Sequence, residues 1–352
     1  MKTKPKILLI TPGFAADEAD SRCIPALQDY VSGLAEHLAK FEFEVLTLHY
    51  PFQAGRYLWH DVPITALALP NRTRWQRMTT VFRALRWFQQ HPERDAFIGF
   101  HAFWLTHSAI IGRVLAALFR KNYLVTIMGQ DALPANQYHR WLQPPAGSLV
   151  APSAFAAAQY AAHRGVEPQV IPWGFGPILN EPARPRTLDI LAVGSLIPLK
   201  NFELLLRTLL LLRKAWPHLR AEIIGEGPEF ARLDELIQIH QLGDHCQLRG
   251  ALPRDQVLAR MSEGRVLVHP SRFESFGHVF VEALGKGMAI VSQPVGIAEA
   301  SESWRLASTA SEFANALHEL LSNPPDHHSR WPYPLEDVYR SYAGVYSPWI
   351  EE

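Results

Sequence analysis

The sequence predicts an α/β protein built from two Rossmann-like domains facing a cleft, and three observations carry that expectation. Strand-like and helix-like segments alternate along most of the chain, the pattern of parallel sheets covered by helices. The length, 352 residues, suits two cores of roughly 150 residues better than one. The alternation breaks at residues 174–187, where Pro177, Pro182 and Pro185 give a linker composition. The expected domains are therefore residues 1–173 and 188–330, joined by the 174–187 linker and followed by a C-terminal segment, 331–352.

Each element follows from its local pattern. Lys6–Thr11 reads as a buried first strand that ends in a turn at Pro12-Gly13. A helix is expected from Ile24 to Phe41, a strand over Glu44–Leu48, a helix over Thr79–Gln90 and a strand over Ala96–Phe100. Helix Trp104–Arg120, strand Tyr123–Met128, strand Leu149–Pro152, helix Ala154–His163 and strand Gln169–Pro172 complete the first half. The second half restarts with strand Leu188–Val193, helix Asn201–Trp216, strand Ala221–Ile224 and helix Glu229–His240. Strand Cys246–Arg249, helix Pro253–Glu263, strand Val266–His269, helix Gly277–Lys286 and strand Ala289–Ser292 follow. The C-terminal segment is too rich in tyrosine and tryptophan for a solvated tail, so it is expected to pack, and to pack back on the first domain.

Composition narrows the function classes. Lys and Arg together number 34, as do Asp and Glu, so nothing argues for a nucleic-acid partner. The 16 histidines come with no H-E-x-x-H word and no tight Cys/His cluster, so no metal site is expected. Cys23 and Cys246 stand far apart, which fits a reducing, cytoplasmic compartment. The apolar run Ile7–Ile10 is too short for a signal peptide, and no run reaches the length of a membrane-spanning helix. Arg72, Arg74, Arg77, Arg83 and Arg86 alternate with Trp75, Met78, Val81, Phe82 and Trp87. An ordinary covering helix with a solvated face is the favoured reading there, with peripheral membrane contact as the alternative. Oligomeric state leaves no mark on the sequence.

Open α/β sheets bind ligands beyond the carboxyl ends of their strands, so chemistry is sought in the residues that follow each strand. After Val266–His269 comes Pro270-Ser271-Arg272-Phe273-Glu274-Ser275-Phe276-Gly277, and then a helix that carries Glu282. Phe276 and Gly277 stand at the helix start, where open N–H groups and the helix dipole favour an anion such as a phosphate. Glu274 in the loop and Glu282 on the helix could reach one ligand, with Glu282 accepting ribose hydroxyls. A cap at Glu274 and a solvated Glu282 are the bland alternative. After Leu188–Val193, Gly194 allows close backbone approach, and Lys200 beside a helix start could hold a diphosphate, against an exposed Lys200 next to Asn201 as N-cap. Gly225-Glu226-Gly227-Pro228 reads as a tight turn and not as a dinucleotide fingerprint, because Phe230 takes the last glycine position. Arg249-Gly250 could border a flat base or be a plain turn, and the two readings weigh equally. In the first half, Gly13, His101 and Asp131 follow strands, and His107 falls six residues after His101, inside the next helix; Gly13 is weighed for phosphate contact, the two histidines for chemistry against a structural role, and Asp131 for polar substrate binding against helix capping.

Together these words make the second half resemble the retaining glycosyltransferases of the GT-B fold, family four. The resemblance rests on Val193-Gly194-Ser195-Leu196-Ile197-Pro198-Leu199-Lys200-Asn201, Ile224-Gly225-Glu226-Gly227-Pro228, Arg249-Gly250, and Pro270-Ser271-x-x-Glu274-Ser275-Phe276-Gly277 with Glu282 at its spacing. Gly296-Ile297-Ala298-Glu299 looks like the family's later glycine–glutamate turn. The likeness covers Ile7 to Pro324 and is strong from Asp189 to Glu299.

The resemblance implies a role for each matching position. Glu274 would bind the donor sugar's hydroxyls, Glu282 the ribose, and Lys200 the diphosphate. Gly194 and Ser195 would lie along the donor, and Phe276 and Gly277 would offer backbone contacts. Arg249 and Gly250 would border the base. His101 resembles the histidine that lies over the sugar ring, and Asp131 the aspartate of a His-Gly-x-Asp segment. Gly13 stands in the loop after the first strand. Three positions depart from the pattern: Ser195 where arginine is usual, Gly13-Phe14 where a glycine pair is usual, and Met128 where histidine is usual.

The expected activity is transfer of a hexose from a nucleotide diphosphate sugar to an acceptor hydroxyl of a glycan, lipid or small molecule, with configuration retained and both domains closing over the donor. The nucleotide sugar is a co-substrate, and no other cofactor is expected. A sugar-nucleotide epimerase and a nucleotide-binding subunit with little catalysis are the rivals.

Overall fold

The computed structural model describes residues 4–20, 23–70, 74–174, 185–326 and 328–350. The chain forms two compact units, one of residues 1–174 with 333–352 and the other of residues 175–332. Residues 175–184 of the expected linker lie outside the described residues.

The first unit runs β1 (Lys6–Gly13), α1 (Pro25–His37), β2 (Glu42–Tyr50), β3 (Gly55–Trp59), β4 (Val62–Ala66), α2 (Arg74–Gln89), β5 (Phe97–Phe103), α3 (His107–Phe119), β6 (Asn122–Thr126), α4 (His139–Leu142), β7 (Leu149–Ala151), α5 (Ala154–Arg164) and β8 (Gln169–Val170). Its sheet has the order β3-β4-β2-β1-β5-β6-β7-β8. All neighbours are parallel except β3, which pairs antiparallel with β4. β1 lies in the middle of this sheet, and Ile7 to Ile10 are wholly buried, which is why they read as an unbroken apolar run. The β3–β4 hairpin has no counterpart in the expected elements. Pro63 argues against a strand there, but β4 pairs with β2 only over Ile64–Ala66, so the missing N–H falls outside that ladder.

The second unit runs β9 (Leu188–Val193), α6 (Phe202–Leu212), β10 (Ala221–Ile224), α7 (Phe230–Ile239), β11 (Cys246–Leu248), α8 (Arg254–Glu263), β12 (Gly264–His269), α9 (His278–Gly285), β13 (Ala289–Ser292), β14 (Trp304–Leu306) and α10 (Ala310–Ser322). Its strands lie in the order β11-β10-β9-β12-β13-β14, all parallel. α6 buries Phe202, Leu205, Leu206, Leu209 and Leu212 at helical spacing, and they join Ile190, Ile223, Val268, Phe313 and Leu317 in one core. β14 and α10 fill residues for which no element was expected. α10 opens on a capping box, Thr309 with Glu312, whose signature stands in the sequence. Arg186, at the end of the expected linker, is fastened to this unit by hydrogen bonds to the carbonyls of Lys286 (2.6 Å) and Gly287 (3.1 Å).

The return of the C-terminal segment to the first unit is observed. α11 (Leu335–Tyr346) buries Val338, Tyr339, Tyr342 and Tyr346. A Cβ on Gly33 of α1 would stand 1.8 Å from the Tyr339 hydroxyl, and one on Gly99 of β5 would stand 2.4 Å from the Trp349 ring, so both glycines are seats for this segment. Trp331 instead belongs to the second unit, where its ring occupies the space a Cβ on Gly285 would need. Among the described residues no helix is long and apolar enough to cross a membrane.

Candidate functional site

The candidate site of the second unit is built from loops at the carboxyl ends of its strands. Three of them interlock through backbone. Gly194 N–H bonds the Ile224 carbonyl (3.0 Å), Leu196 N–H that of Glu226 (2.8 Å), and Gly225 N–H that of Gly250 (2.9 Å). A Cβ on Gly225 would stand 1.9 Å from the Gly194 carbonyl oxygen, so Gly225-Glu226-Gly227 is a turn made for close packing. Ser195 is exposed in the middle of this lattice.

The loop after β12 is held from both sides. Arg272 N–H bonds the Leu199 carbonyl at 2.9 Å, and Asn201 Nδ2 bonds Pro270 at 3.4 Å, which joins it to the loop after β9. Ile297 N–H bonds the Phe276 carbonyl at 2.9 Å. Gly296, at φ 64°, passes so close that a Cβ there would lie 2.2 Å from the same carbonyl oxygen. Gly277, at φ 89°, forms the entry to α9. The Phe276 side chain is buried, so this residue offers only backbone to a ligand.

Glu274 is the centre of the charges. Its Oε1 accepts from Lys200 Nζ and, at 2.7 Å, from His269 Nε2. Both partners meet the same oxygen, and among the described residues no hydrogen bond reaches Oε2. Burial pushes the carboxyl up, but the His269 hydrogen bond and the Lys200 ammonium outweigh it and hold the group down at about 2. Burial also lowers His269, against the pull of Glu274, so the ring is neutral and donates through Nε2. His278, at the start of α9, is likewise pushed down to about 4 by burial. Lys200 is therefore not an exposed lysine beside a cap; its side chain is 19% exposed and turned onto Glu274.

Glu282, on α9, pairs with Arg254 Nε at 3.2 Å, at the first residue of α8. Arg249 is engaged elsewhere than expected: its guanidinium bonds buried Glu222 at 2.7 Å, and Arg260 shares that carboxylate. A base bordered by this turn would meet Gly250 and backbone rather than a free Arg249 side chain. Arg272 leans on Asn201 Oδ1 at 3.3 Å beside a hollow of about 460 Å³, whose lining holds Arg207 and Gln293 but neither Lys200 nor Glu274.

In the first unit the structure corrects two expectations. His101 is 0% exposed, with Nδ1 at 2.6 Å from the Tyr346 hydroxyl and Nε2 at 2.7 Å from Thr126 Oγ1. Burial lowers it to about 3. Both nitrogens are spent in the core, so His101 cannot lie over a sugar. Asp131 is also turned inward. Its carboxylate accepts from the backbone N–H groups of Leu105 (2.8 Å), Met128 (3.1 Å) and Gly129 (2.6 Å), and it organises the loop after β6 rather than a substrate. Gly13 is buried at the end of β1, and its carbonyl accepts from Thr11 Oγ1 at 2.9 Å. A hollow of about 180 Å³ at the ends of β1, β2 and β5 is lined by Pro12, His49, Trp104, His107, Ser108 and Tyr138. His107 lies there with the Tyr138 hydroxyl 3.1 Å from Nε2.

Sequence reasoning misses His269 and Arg254. His269 is the last residue of its strand, whereas the search for chemistry falls on residues that come after strands. Arg254 opens a helix after Pro253, and nothing local marks it as the partner of a glutamate 28 positions on.

Residues 180–333 match the family description "Glycosyl transferases group 1". A phosphatidylinositol N-acetylglucosaminyltransferase gpi3 subunit of Schizosaccharomyces pombe is 28% identical over 45% of this chain and 36% of its own length. A human protein, likewise named as a subunit of phosphatidylinositol N-acetylglucosaminyltransferase, is 33% identical over 31% of this chain and 23% of its own. The chain thus spans about a third or less of these curated relatives. Over whole chains, sucrose-phosphate synthase from Thermosynechococcus elongatus superposes with a TM-score of 0.78 at 18% identity, covering 99% of both chains. HepE from Anabaena, solved with UDP and glucose, superposes with a TM-score of 0.70 at 14% identity, covering 98% of this chain and 100% of its own.

Proposed function

We propose that this chain, whose residues 180–333 match the glycosyl transferases of group 1 and whose fold is that of GT-B structures, transfers a hexose from a nucleotide diphosphate sugar to an acceptor hydroxyl with retention of configuration. The observation that carries this reading is Glu274: a carboxylate held ionised by Lys200 and His269, with Oε2 left to meet a ligand. Oε2 accepts hydrogen bonds from the hydroxyls of the donor sugar. Lys200 shares its ammonium between Glu274 and the diphosphate, with the start of α9 as a second positive pole for the leaving charge. Glu282 exchanges Arg254 for the ribose hydroxyls. The bond from the anomeric carbon to the diphosphate breaks as the bond to the acceptor oxygen forms on the same face. The departing phosphate oxygen takes the acceptor's proton. These roles need no bound metal. The hollow around His49, Trp104 and His107 supports an acceptor-binding role for the first unit. Several curated relatives carry N-acetylglucosamine transfer in their names, which makes UDP-N-acetylglucosamine the first donor to try.

The test is Glu274→Ala. The variant should bind nucleotide and melt as a folded protein while turnover falls by about 100- to 1,000-fold, the loss seen when a preorganised polar group is removed. Unchanged turnover would sink the assignment. A second reading, a nucleotide-binding subunit with little turnover, is favoured by the neutral Ser195 and by relatives named as subunits. It predicts nucleotide binding with no sugar release from any of the UDP, GDP and ADP sugars.

A further inference from the structure

We propose that His269 is the positioning residue of this site: with Lys200 it pins one oxygen of Glu274, so that the other oxygen is presented to the donor sugar in a fixed direction. The inference rests on the reading of Glu274 as the sugar-binding carboxylate.

A carboxylate on a loop can rotate about its last bond and offer either oxygen. Here that freedom is removed. Lys200 comes from the loop after β9 and His269 from the end of β12, and both bond Oε1. The lysine is a point charge on a flexible stem and fixes no direction. The imidazole is rigid, 1% exposed, and packed edge-on against Phe280 with ring centroids 4.9 Å apart. Its Nδ1 is buried without a hydrogen-bond partner among the described residues. A proton placed there would be an orphan buried donor, so the ring keeps its proton on Nε2, where Glu274 accepts it. The charged and titratable groups facing Glu274 are Lys200, His269 and, from α9, His278. Removing the His269 hydrogen bond leaves burial opposed by Lys200 alone, and the carboxyl rises.

The experiment uses the full chain and whichever of the UDP, GDP and ADP sugars stabilises it most, with release of nucleotide from that sugar as the turnover. His269→Leu should lower turnover about 10- to 100-fold, the worth of one hydrogen bond to a charged group, with affinity for the free nucleotide within about 2-fold. The acid limb of its turnover should move to higher pH. His269→Gln, whose amide N–H can reach the same oxygen, should restore turnover and acid limb to near wild type. His269→Asn, one methylene shorter, should melt like the glutamine variant yet behave like His269→Leu. If His269→Leu, or the asparagine variant should leucine fail to fold, keeps wild-type turnover and acid limb while Glu274→Ala has lost activity, the positioning role is overturned and the reading of Glu274 stands. If Glu274→Ala itself keeps turnover, both fall.

Discussion

Two buried histidines set the halves of this molecule apart. His101 lies within β5 of the first unit, between the hydroxyls of Tyr346 and Thr126. His269 ends β12 of the second unit, against a carboxylate that is itself only 14% exposed and whose other oxygen meets no hydrogen bond among the described residues. The rings are equally inaccessible, and burial lowers both. What separates them is the partner. Two hydroxyls close a circuit inside the core, and nothing is left to reach a ligand. A carboxylate passes the histidine's orientation outward. Burial of a histidine therefore says little about chemistry until its partner's remaining lone pairs have been followed.

The largest expected effect on this contrast comes from Lys200→Met. It removes the charge that pairs with Glu274 and that the proposed mechanism also sets against the leaving group, and turnover should fall by about 100-fold or more. A loss below about 5-fold would mean that Lys200 merely balances Glu274. Gly296→Ala should come next. A side chain at φ 64° with its Cβ 2.2 Å from the Phe276 carbonyl oxygen forces the Glu274 loop to move. Stability should drop by about 1–3 kcal/mol in denaturant melts, and the remaining folded protein should turn over more slowly.

His101→Phe should cost about 1–3 kcal/mol by orphaning the Tyr346 and Thr126 hydroxyls, while turnover per folded molecule is kept. Lost turnover at full stability would return His101 to the chemistry. Acid separates the two regions further. The pKa of His101 in the fold, about 3, lies below its ordinary 6.5, so the unfolded chain takes up the proton first and stability falls as pH drops from 6.5 toward 3. Glu274, at about 2 against an ordinary 4.5, stabilises the fold fully above 4.5 and loses that contribution only as pH falls toward 2. Urea melts at pH 7 and 5 should thus show a shallower loss for His101→Phe than for the wild type.

The smallest effect concerns the outer face of α2. Met78 and Phe82 are 58% and 66% exposed there, beside exposed Arg83 and Arg86, whereas Arg72 and the side chains of Arg74, Trp75 and Arg77 lie outside the described residues. If that face meets anionic lipid, Phe82→Ser with Arg83→Gln should weaken flotation with phosphatidylserine vesicles about 10-fold at low salt. Equal flotation would leave α2 an ordinary covering helix.

Much of the fold was legible because parallel strands buried on both faces leave continuous apolar runs, such as Ile7–Ile10 and Ile190–Ala192. In the second unit the placement of Lys200 and Glu274 was legible because they follow strands in loops that glycines mark, and that of Glu282 because a helix follows the second loop. His101 was misread through a boundary. The strand was expected to end at Phe100, but β5 continues to Phe103, which turns a residue at a strand's mouth into one inside the sheet. Asp131 was misread because a carboxylate at a strand end and one that caps the following turn look alike until the N–H groups of Leu105 and Met128 are seen. His269 was hidden for the opposite reason. It counts as strand, yet its side chain leaves the sheet at the last position where it can touch the loop.

α11 carries one more consequence. The first unit is finished only when Tyr339, Tyr342 and Tyr346 arrive, and the ribosome makes them after every residue of the second unit. A fragment ending at Gly174 would lack the hydroxyl that His101 needs and would expose Gly33 as an empty seat. Residues 175–332 are one uninterrupted stretch, so the half that carries Glu274 is the one to express alone, while the older half of the nascent chain must wait for its last helix.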